Sequence, residues 1–207
     1  ISINMSTKIN VLQVIPKLGY GGAETGCYDI AHYLAENECG SFIATSGGDL
    51  LKFVKKDKVK IIRLPVHSKN PVLIIFNALV LAIYIIFYKI NIVHARSRAP
   101  AWTSYIASFL TNRVFVTTFH GTYNFKSNLK KFYNSIMLRA NLTIAGSNFI
   151  FRHINENYSQ YLHKEKKLRV IFRGINVDYY NSKNISILKR EKLKQEWNLS
   201  SNLFTIL

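Results

Sequence analysis

The sequence predicts an α/β fold, in which a mainly parallel sheet is covered by helices on both faces. Short β-branched apolar runs recur along the chain, longer segments with helical spacing separate them, and glycine or proline marks many of the junctions. Strands that alternate with helices form parallel sheets, because parallel strands need long crossover connections. The 207 residues, of which 48% are hydrophobic, are enough for a sizeable core.

The alternation can be followed element by element. We predict strands at residues 9–15, 42–45, 59–64, 91–95, 114–119, 142–145 and 168–172. We predict helices at residues 24–37, 50–56, 71–88, 101–110, 126–140 and 147–157. Pro100 suits the first turn of a helix, where its missing N–H is not needed, and Ser147 is a favourable N-cap. The order of elements predicts a Rossmann-like three-layer α/β/α arrangement.

The composition changes after Gly174, where a charged, helix-prone segment follows the last predicted strand. We therefore predict that the Rossmann-like domain spans residues 8–180 and that residues 181–202 form a linker with a helix. The apolar residues 203–207 would be the first strand of a second domain. Residues 1–7 are expected to be a disordered or artefactual start, because Met5 looks like the natural first residue.

The charge balance is strongly basic, with 28 Lys and Arg against 11 Asp and Glu and a formal net charge of +17. Such a charge attracts phosphates on nucleic acid, lipid or nucleotide-sugars. It is equally explained by drift in base composition, since Asn, Ile and Lys are all abundant. The basic residues are scattered rather than aligned with exposed aromatic side chains, so no specific nucleic-acid partner is predicted. Cys27 and Cys39 have no metal-ligand spacing and predict a reduced, cytoplasmic compartment.

Two segments raise the question of membrane contact. Residues 72–88 carry no charge and are just short of a membrane span. We interpret them as a helix buried between the sheet and its neighbours, and the alternative is a membrane-surface or membrane-embedded helix. The basic, amphipathic segment 126–139 is either a plain surface helix or one that lies on anionic lipid. The alternative readings would place the protein peripherally on the inner face of a membrane.

Ligands of open α/β sheets bind at the carboxyl ends of the strands, and three predicted strand ends carry reactive groups. After the first strand, Gly21, Gly22 and Glu24 form a glycine-rich loop that opens a helix, whose amino end favours anions. The loop matches neither the dinucleotide fingerprint nor the P-loop. It is therefore read either as a ligand contact or as a tight turn that needs glycine.

Two more strand ends carry polar residues. His120 and Gly121 follow the fifth strand, where a histidine can donate, accept or act as a general base near neutral pH. A purely structural histidine is the alternative. Arg96, Ser97 and Arg98 follow the fourth strand, where two guanidiniums can bind phosphate or carboxylate. The alternative there is a solvated arginine pair at a helix start.

Several segments together resemble one family, the retaining family-4 glycosyltransferases with the two-domain GT-B fold. The resemblance is carried by Val11-Leu12-Gln13-Val14-Ile15-Pro16 with the Gly-Gly-Ala-Glu loop, Ile92-Val93-His94-Ala95-Arg96-Ser97-Arg98-Ala99-Pro100-Ala101-Trp102, Thr118-Phe119-His120-Gly121 and Ala145-Gly146-Ser147. Residues 170–176 are similar to the family's segment before the hinge, although Phe172, Arg173 and Asn176 depart from its commoner residues.

The resemblance implies two Rossmann-like domains, of which the first binds the acceptor and the second most of the nucleotide-sugar. It implies that Gly21 and Gly22 contact the donor diphosphate and the acceptor, and that His120 is the catalytic residue beside the transferred sugar. Arg96 and Ser97 would line the cleft. The remaining substrate-binding positions carried over from the motifs are Glu24, Gly121 and Arg173.

The family's donor-site Lys or Arg and its paired glutamates belong to the second domain. We therefore expect a transferase half that acts in envelope polysaccharide or lipopolysaccharide synthesis and is inactive alone. Its expected partners are a nucleotide-sugar, a saccharide or lipid-linked acceptor, and a separate chain that carries the second domain. The nucleotide-sugar is a substrate, and no cofactor or metal is expected. The alternative is a non-catalytic remnant that binds a membrane or a partner.

Overall fold

The computed structural model of the chain describes residues 8–162, 167–178 and 180–199. The segments predicted as an artefactual start (1–7) and as a strand of a second domain (203–207) lie outside these residues. By its internal contacts the chain divides into two units, Ile1–Phe172 and Arg173–Leu207. The predicted boundaries at residues 180 and 202 stay predictions.

The first unit is built on a parallel sheet. In the described part of the chain the sheet has seven strands in the order β3-β2-β1-β4-β5-β6-β7, and every neighbouring pair is parallel. The strands are β1 (Asn10–Val14), β2 (Gly40–Thr45), β3 (Val59–Arg63), β4 (Ile92–Ala95), β5 (Val114–Phe119), β6 (Leu142–Ala145) and β7 (Lys167–Val170). The predicted α/β fold class is confirmed, with a helix or 3₁₀ turn between each pair of consecutive strands.

The helices mostly begin where the sequence predicts them. They are α1 (Gly22–Glu36), α2 (Pro71–Phe87), α3 (Arg98–Thr111), α4 (Asn128–Ser135), α5 (Asn148–Tyr158) and, in the second unit, α6 (Ile187–Glu196). Ser147 is the N-cap of α5, and its hydroxyl accepts a hydrogen bond from the amide of Ile150 at 3.2 Å. The short helix predicted at residues 50–56 is a 3₁₀ turn over Asp49–Lys52 instead.

The helix predicted over residues 126–140 is shorter than expected. Ser127 caps its start, and after Ser135 the chain tightens into a 3₁₀ turn, Ile136–Leu138. Thr117 on β5 and Thr143 on β6 both donate hydrogen bonds from their hydroxyls to the carbonyl of Met137, at 2.5 and 3.0 Å. In a longer α-helix this carbonyl would instead accept a hydrogen bond from a backbone amide of the same helix.

Helices cover both faces of the sheet. Cys27 of α1 packs with Ile43 in one core cluster, whereas Leu81 of α2 packs with Leu12 and Val14 in another. Since side chains alternate along a strand, α1 and α2 lie on opposite faces of the sheet. The strand order reverses direction between β1 and β4, and this reversal is the switch point of the sheet.

Helix α2 has an unexpected surface. Ala78, Leu81 and Ile85 are buried against the sheet. The opposite side carries exposed apolar residues, so the interpretation of residues 72–88 as a helix buried between the sheet and its neighbours is wrong for that side. Within the described ranges, no helix is long and apolar enough to cross a membrane.

Candidate functional site

The candidate site lies at the carboxyl edge of the sheet around the switch point. Gly21 is the N-cap of α1, after β1, and Ser97 is the N-cap of α3, after β4. His120 and Gly121 follow β5, the next strand in the sheet. The structure thus brings the predicted residues of these three strand ends to one edge. Arg173 belongs to the second unit.

The loop after β1 is held by the loop after β2. The amide of Leu18 donates to the carbonyl of Gly47 at 2.6 Å, and the amide of Leu50 donates to the carbonyl of Leu18 at 3.0 Å. Gly48 has a φ of +130°, and a Cβ at this position would collide with the backbone of Leu18. Gly48 therefore lets the two loops approach, and this contact positions the glycine-rich loop ahead of α1.

Glu24 bends back over the amino end of α1. It lies in the first turn, and a Cβ at Gly21 would collide with its carboxylate. A carboxylate here is stabilised by the positive end of the helix dipole. The carboxylate therefore lies against the amino end of the helix, beside Gly21.

Arg96 is buried directly after β4. The residue is only 4% exposed. Its Nε donates a hydrogen bond to Oε1 of Gln13 on β1 at 2.7 Å. Gln13 in turn donates from Nε2 to the carbonyl of Cys27 at 3.0 Å. Burial raises the pKa of the Cys27 thiol to about 12, so the thiol is neutral at physiological pH. Arg96 therefore ties β4 to β1 and, through Gln13, to α1.

A buried histidine that sequence reasoning left out of the site lies beside it. Nε2 of His94 on β4 is 2.7 Å from Oγ1 of Thr118 on β5. Burial lowers the pKa of His94 well below its usual value, and the charges of Arg96 and His120 lower it further. His94 is therefore neutral at physiological pH. The signal that could have found it was a polar residue inside an apolar strand.

The segment after His120 is anchored by Arg98, the first residue of α3. The guanidinium carbon of Arg98 lies 4.4 Å from the ring centroid of Tyr123, and one guanidinium nitrogen donates to Oδ1 of Asn134 at 2.9 Å. The hydroxyl of Tyr158 donates to the carbonyl of Tyr123 at 2.5 Å. The hydrogen bonds of Arg96 to Gln13 and of Arg98 to Asn134 thus tie the two guanidiniums to different segments of the fold.

A basic cavity opens beside this edge. Its volume is about 550 Å³, and it is lined by Pro16, His67, Lys69, Ser97, Arg98, Ala99, Ser127, Leu129, Lys130 and Tyr133. None of these lining residues is a carboxylate. A second cavity of about 300 Å³ is almost entirely apolar and is lined by Lys69, Pro71, Ile74, Ile75, Trp102, Ile106 and Tyr133. Lys69 and Tyr133 line both cavities, so a basic pocket adjoins an apolar one.

No metal centre accompanies these residues in the described part of the chain, where no group of three or more His, Cys, Asp or Glu side chains could hold an ion. The roles that the family resemblance implied for the site residues stay predictions, namely those of Gly21, Gly22, Glu24, Arg96, Ser97, His120, Gly121 and Arg173.

Comparisons with known proteins agree on the fold. A glycosyltransferase from Rickettsia africae is 42% identical, with a TM-score of 0.81 over 95% of this chain and 51% of its own. The Anabaena protein HepE in complex with UDP-glucose is 18% identical, with a TM-score of 0.72 over 94% of this chain and 51% of its own. The lipopolysaccharide outer core galactosyltransferase WaaB is 12% identical, with a TM-score of 0.61 over 81% of this chain and 46% of its own.

The chain therefore spans about half the length of the solved structures it matches. No curated protein matches the sequence. The profile of Glycosyltransferase Family 4 matches residues 20–179. The resemblance read from the motifs is confirmed, and this chain belongs to glycosyltransferase family 4.

Proposed function

We propose that this chain is the acceptor-binding half of an enzyme that transfers a sugar from a nucleotide-sugar to a saccharide or lipid-linked acceptor. The chain belongs to family 4. The observation that carries the proposal is that three strand ends, which lead to Gly21, Ser97 and His120, meet around the switch point of the sheet. HepE, which shares the fold, was solved with UDP-glucose, and this supports a nucleotide-sugar as the donor class.

His120 and Glu24 are proposed to bind the sugars. His120 lies at the end of β5, next to Gly121, where a Cβ would meet nothing within 4 Å. The space beside Gly121 is open, and we propose that a sugar bound there forms a hydrogen bond with the imidazole of His120. Glu24 is proposed to accept a hydrogen bond from an acceptor hydroxyl, since its charge disfavours a phosphate.

The basic cavity supports an acceptor that carries negative charge. Lys69, Arg98 and Lys130 line it without an opposing carboxylate, and the adjoining cavity is lined mostly by apolar side chains. A lipid-linked acceptor has this combination, a phosphate next to a hydrocarbon chain. Acceptors of this chemistry are used in envelope polysaccharide synthesis, and the name of WaaB, a lipopolysaccharide galactosyltransferase, supports that setting.

The donor side is proposed to come from a second domain, in the same protein or in a separate chain. The solved structures that match are about twice as long as this chain. Retaining transfer requires groups that stabilise the leaving diphosphate electrostatically. We therefore expect the 207 residues alone to bind an acceptor but to transfer sugar slowly or not at all, without a metal or cofactor.

Two measurements on the 207-residue chain test this proposal. Saturation-transfer NMR should detect binding of a short polyprenyl diphosphate sugar, and His120→Ala should weaken that binding. Mass spectrometry after incubation with UDP-glucose and the same acceptor should detect little product. Rapid turnover would contradict the division into halves, and an acceptor that does not bind would contradict the acceptor-side assignment.

The second candidate is a non-catalytic membrane- or partner-binding remnant of the same fold. It is favoured by the exposed apolar side of α2, which sugar transfer does not require. Acceptor binding that depends on His120 would favour the transferase, whereas membrane binding without any acceptor binding would favour the remnant.

A further inference from the structure

The outer side of α2 is an apolar stripe that the described residues of the first unit leave exposed. Ile83 is 67% exposed and Phe87 is 74% exposed. The exposed side chains of α2 are Val72, Leu73, Ile75, Phe76, Leu79, Ile83, Ile86 and Phe87, and we call them the α2 stripe. The stripe runs the whole helix, about 25 Å at 1.5 Å per residue.

The fold does not require this stripe. A surface helix normally has an apolar side toward the core and a polar side toward water. The inner side of α2 already packs on the sheet through Ala78, Leu81 and Ile85, yet its 17 residues include no charged side chain at all. On the neighbouring helix α3, Phe109 and Leu110 are exposed as well. Contiguous exposed apolar surface of this kind marks a site of interaction.

In the part of the sequence that contains the stripe, every charged residue is basic. No Asp or Glu occurs between Asp57 and Glu156, and α2, α3 and α4 all lie in that interval. The interval contains thirteen basic residues, namely Lys58, Lys60, Arg63, Lys69, Lys89, Arg96, Arg98, Arg113, Lys126, Lys130, Lys131, Arg139 and Arg152. Lys69 and Lys89 stand just before and just after α2.

We propose that the α2 stripe, with Phe109 and Leu110, docks on an anionic lipid bilayer. The helix would lie in the plane of the membrane with its apolar side among the acyl chains, while Lys69 and Lys89 reach phosphate groups at its two ends. Apolar side chains with basic residues nearby are the combination that gives stable binding to anionic lipid surfaces.

The charge pattern also argues against a second copy of the chain as the occupant. A symmetric dimer through the α2 stripe would bring Lys89 and Lys69 of the two copies to the same interface, without a carboxylate from residues 58–155 to pair with them. Like charges at an interface disfavour association. A bilayer that contains acidic lipid supplies the missing negative charge.

Flotation of the 207-residue chain with lipid vesicles tests the proposal. We expect binding to vesicles of phosphatidylcholine with phosphatidylglycerol, weaker binding to phosphatidylcholine alone, and loss of binding as salt is raised. Phe87→Asp combined with Ile83→Asp should lower the partition coefficient about tenfold or more, because it removes two inserted apolar groups and adds repelling charge.

Tyr33→Asp is the matched control, because Tyr33 is 66% exposed on α1, on the opposite face of the sheet. It should bind vesicles like the wild-type chain. Equal binding by the stripe variant and the control would overturn the proposal. Thermal unfolding of both variants checks that their folds are intact, and no part of this test measures sugar transfer.

An environment-sensitive dye on Leu79→Cys gives a second measurement, in a chain where Cys39 is replaced by serine and the remaining Cys27 is buried. Its emission should shift to the blue on anionic vesicles, and the same dye on Tyr33→Cys should not shift. A wild-type chain that forms dimers sensitive to Phe87→Asp, and that leaves the dye unshifted on vesicles, would show that a second copy covers the stripe instead.

Discussion

Arg96 and Gln13 are joined across the switch point by a buried hydrogen bond of 2.7 Å, although 83 residues separate them in sequence. Gln13 lies on β1 and Arg96 directly after β4, so the bond fixes the two strands between which the sheet reverses its order. The same glutamine bonds the backbone of Cys27 in α1. The core that carries the candidate site therefore depends on a polar contact as well as on apolar packing.

Arg96→Met should destabilise the fold by about 2–4 kcal/mol, because it leaves Oε1 of Gln13 buried without its donor and removes a buried guanidinium from its partners. Chemical denaturation of the chain measures the change. Lys17→Met is the control, since Lys17 is an exposed basic residue at the same edge. Equal stability of the two variants would contradict the structural role given to Arg96.

Gly48→Ala should destabilise the chain by about 2 kcal/mol or more, because alanine is strained at a φ of +130° and its Cβ would collide with the backbone of Leu18. Thermal unfolding and acceptor binding are the two measurements. Gly19→Ala is the control, since a Cβ there meets nothing within 4 Å. A Gly48→Ala variant as stable as Gly19→Ala would mean that the two loops are not in contact.

The stability of the chain should fall as the pH drops below about 6.5, the pKa of an unfolded histidine. Burial lowers the pKa of His94 in the folded protein. At acid pH this histidine therefore binds a proton in the unfolded chain but not in the folded one. The stabilisation that neutral His94 contributes is fully present above pH 6.5. It is lost as the pH falls toward the pKa of His94 in the folded protein, by up to about 1.4 kcal/mol per pH unit.

The free energy of unfolding, measured between pH 5 and 8, tests this dependence. His94→Gln should flatten the curve on the acid side, whereas His67→Gln, at an exposed position, should leave it as in the wild-type chain. An unchanged acid slope in His94→Gln would show that another group causes the pH dependence.

Lys130→Ala should weaken binding of a polyprenyl diphosphate sugar roughly tenfold, because Lys130 lines the basic cavity and can donate to a phosphate. Lys131→Ala is a closely matched control. The ammonium of Lys131 lies 4.9 Å from the ring centroid of Phe125 and is not among the residues that line that cavity. Calorimetric titration should separate the two variants, and equal weakening by both would point to general attraction rather than to a site.

Local patterns were enough for the fold class and for the positions of the glycine-rich loop and His120 at strand ends. The β-branched runs predicted the strands, Ser147 predicted the start of α5, and the glycine-rich loop and His120 were placed at strand ends. These features can be read locally because side-chain periodicity and capping act over a few neighbouring residues. The family resemblance also rests on short segments in a fixed order.

The sequence by itself determined that this chain is a parallel α/β member of glycosyltransferase family 4, because periodicity and motif order are properties of the chain alone. Only the tertiary structure decided that Arg96 donates a hydrogen bond to Gln13 and that the backbone of Leu18 lies close against Gly48. It also decided that the apolar helix α2 has a buried and an exposed side. The physical reason is that these outcomes depend on contacts between distant segments. An apolar residue of α2 has the same sequence signal whether a sheet, water or lipid lies against it.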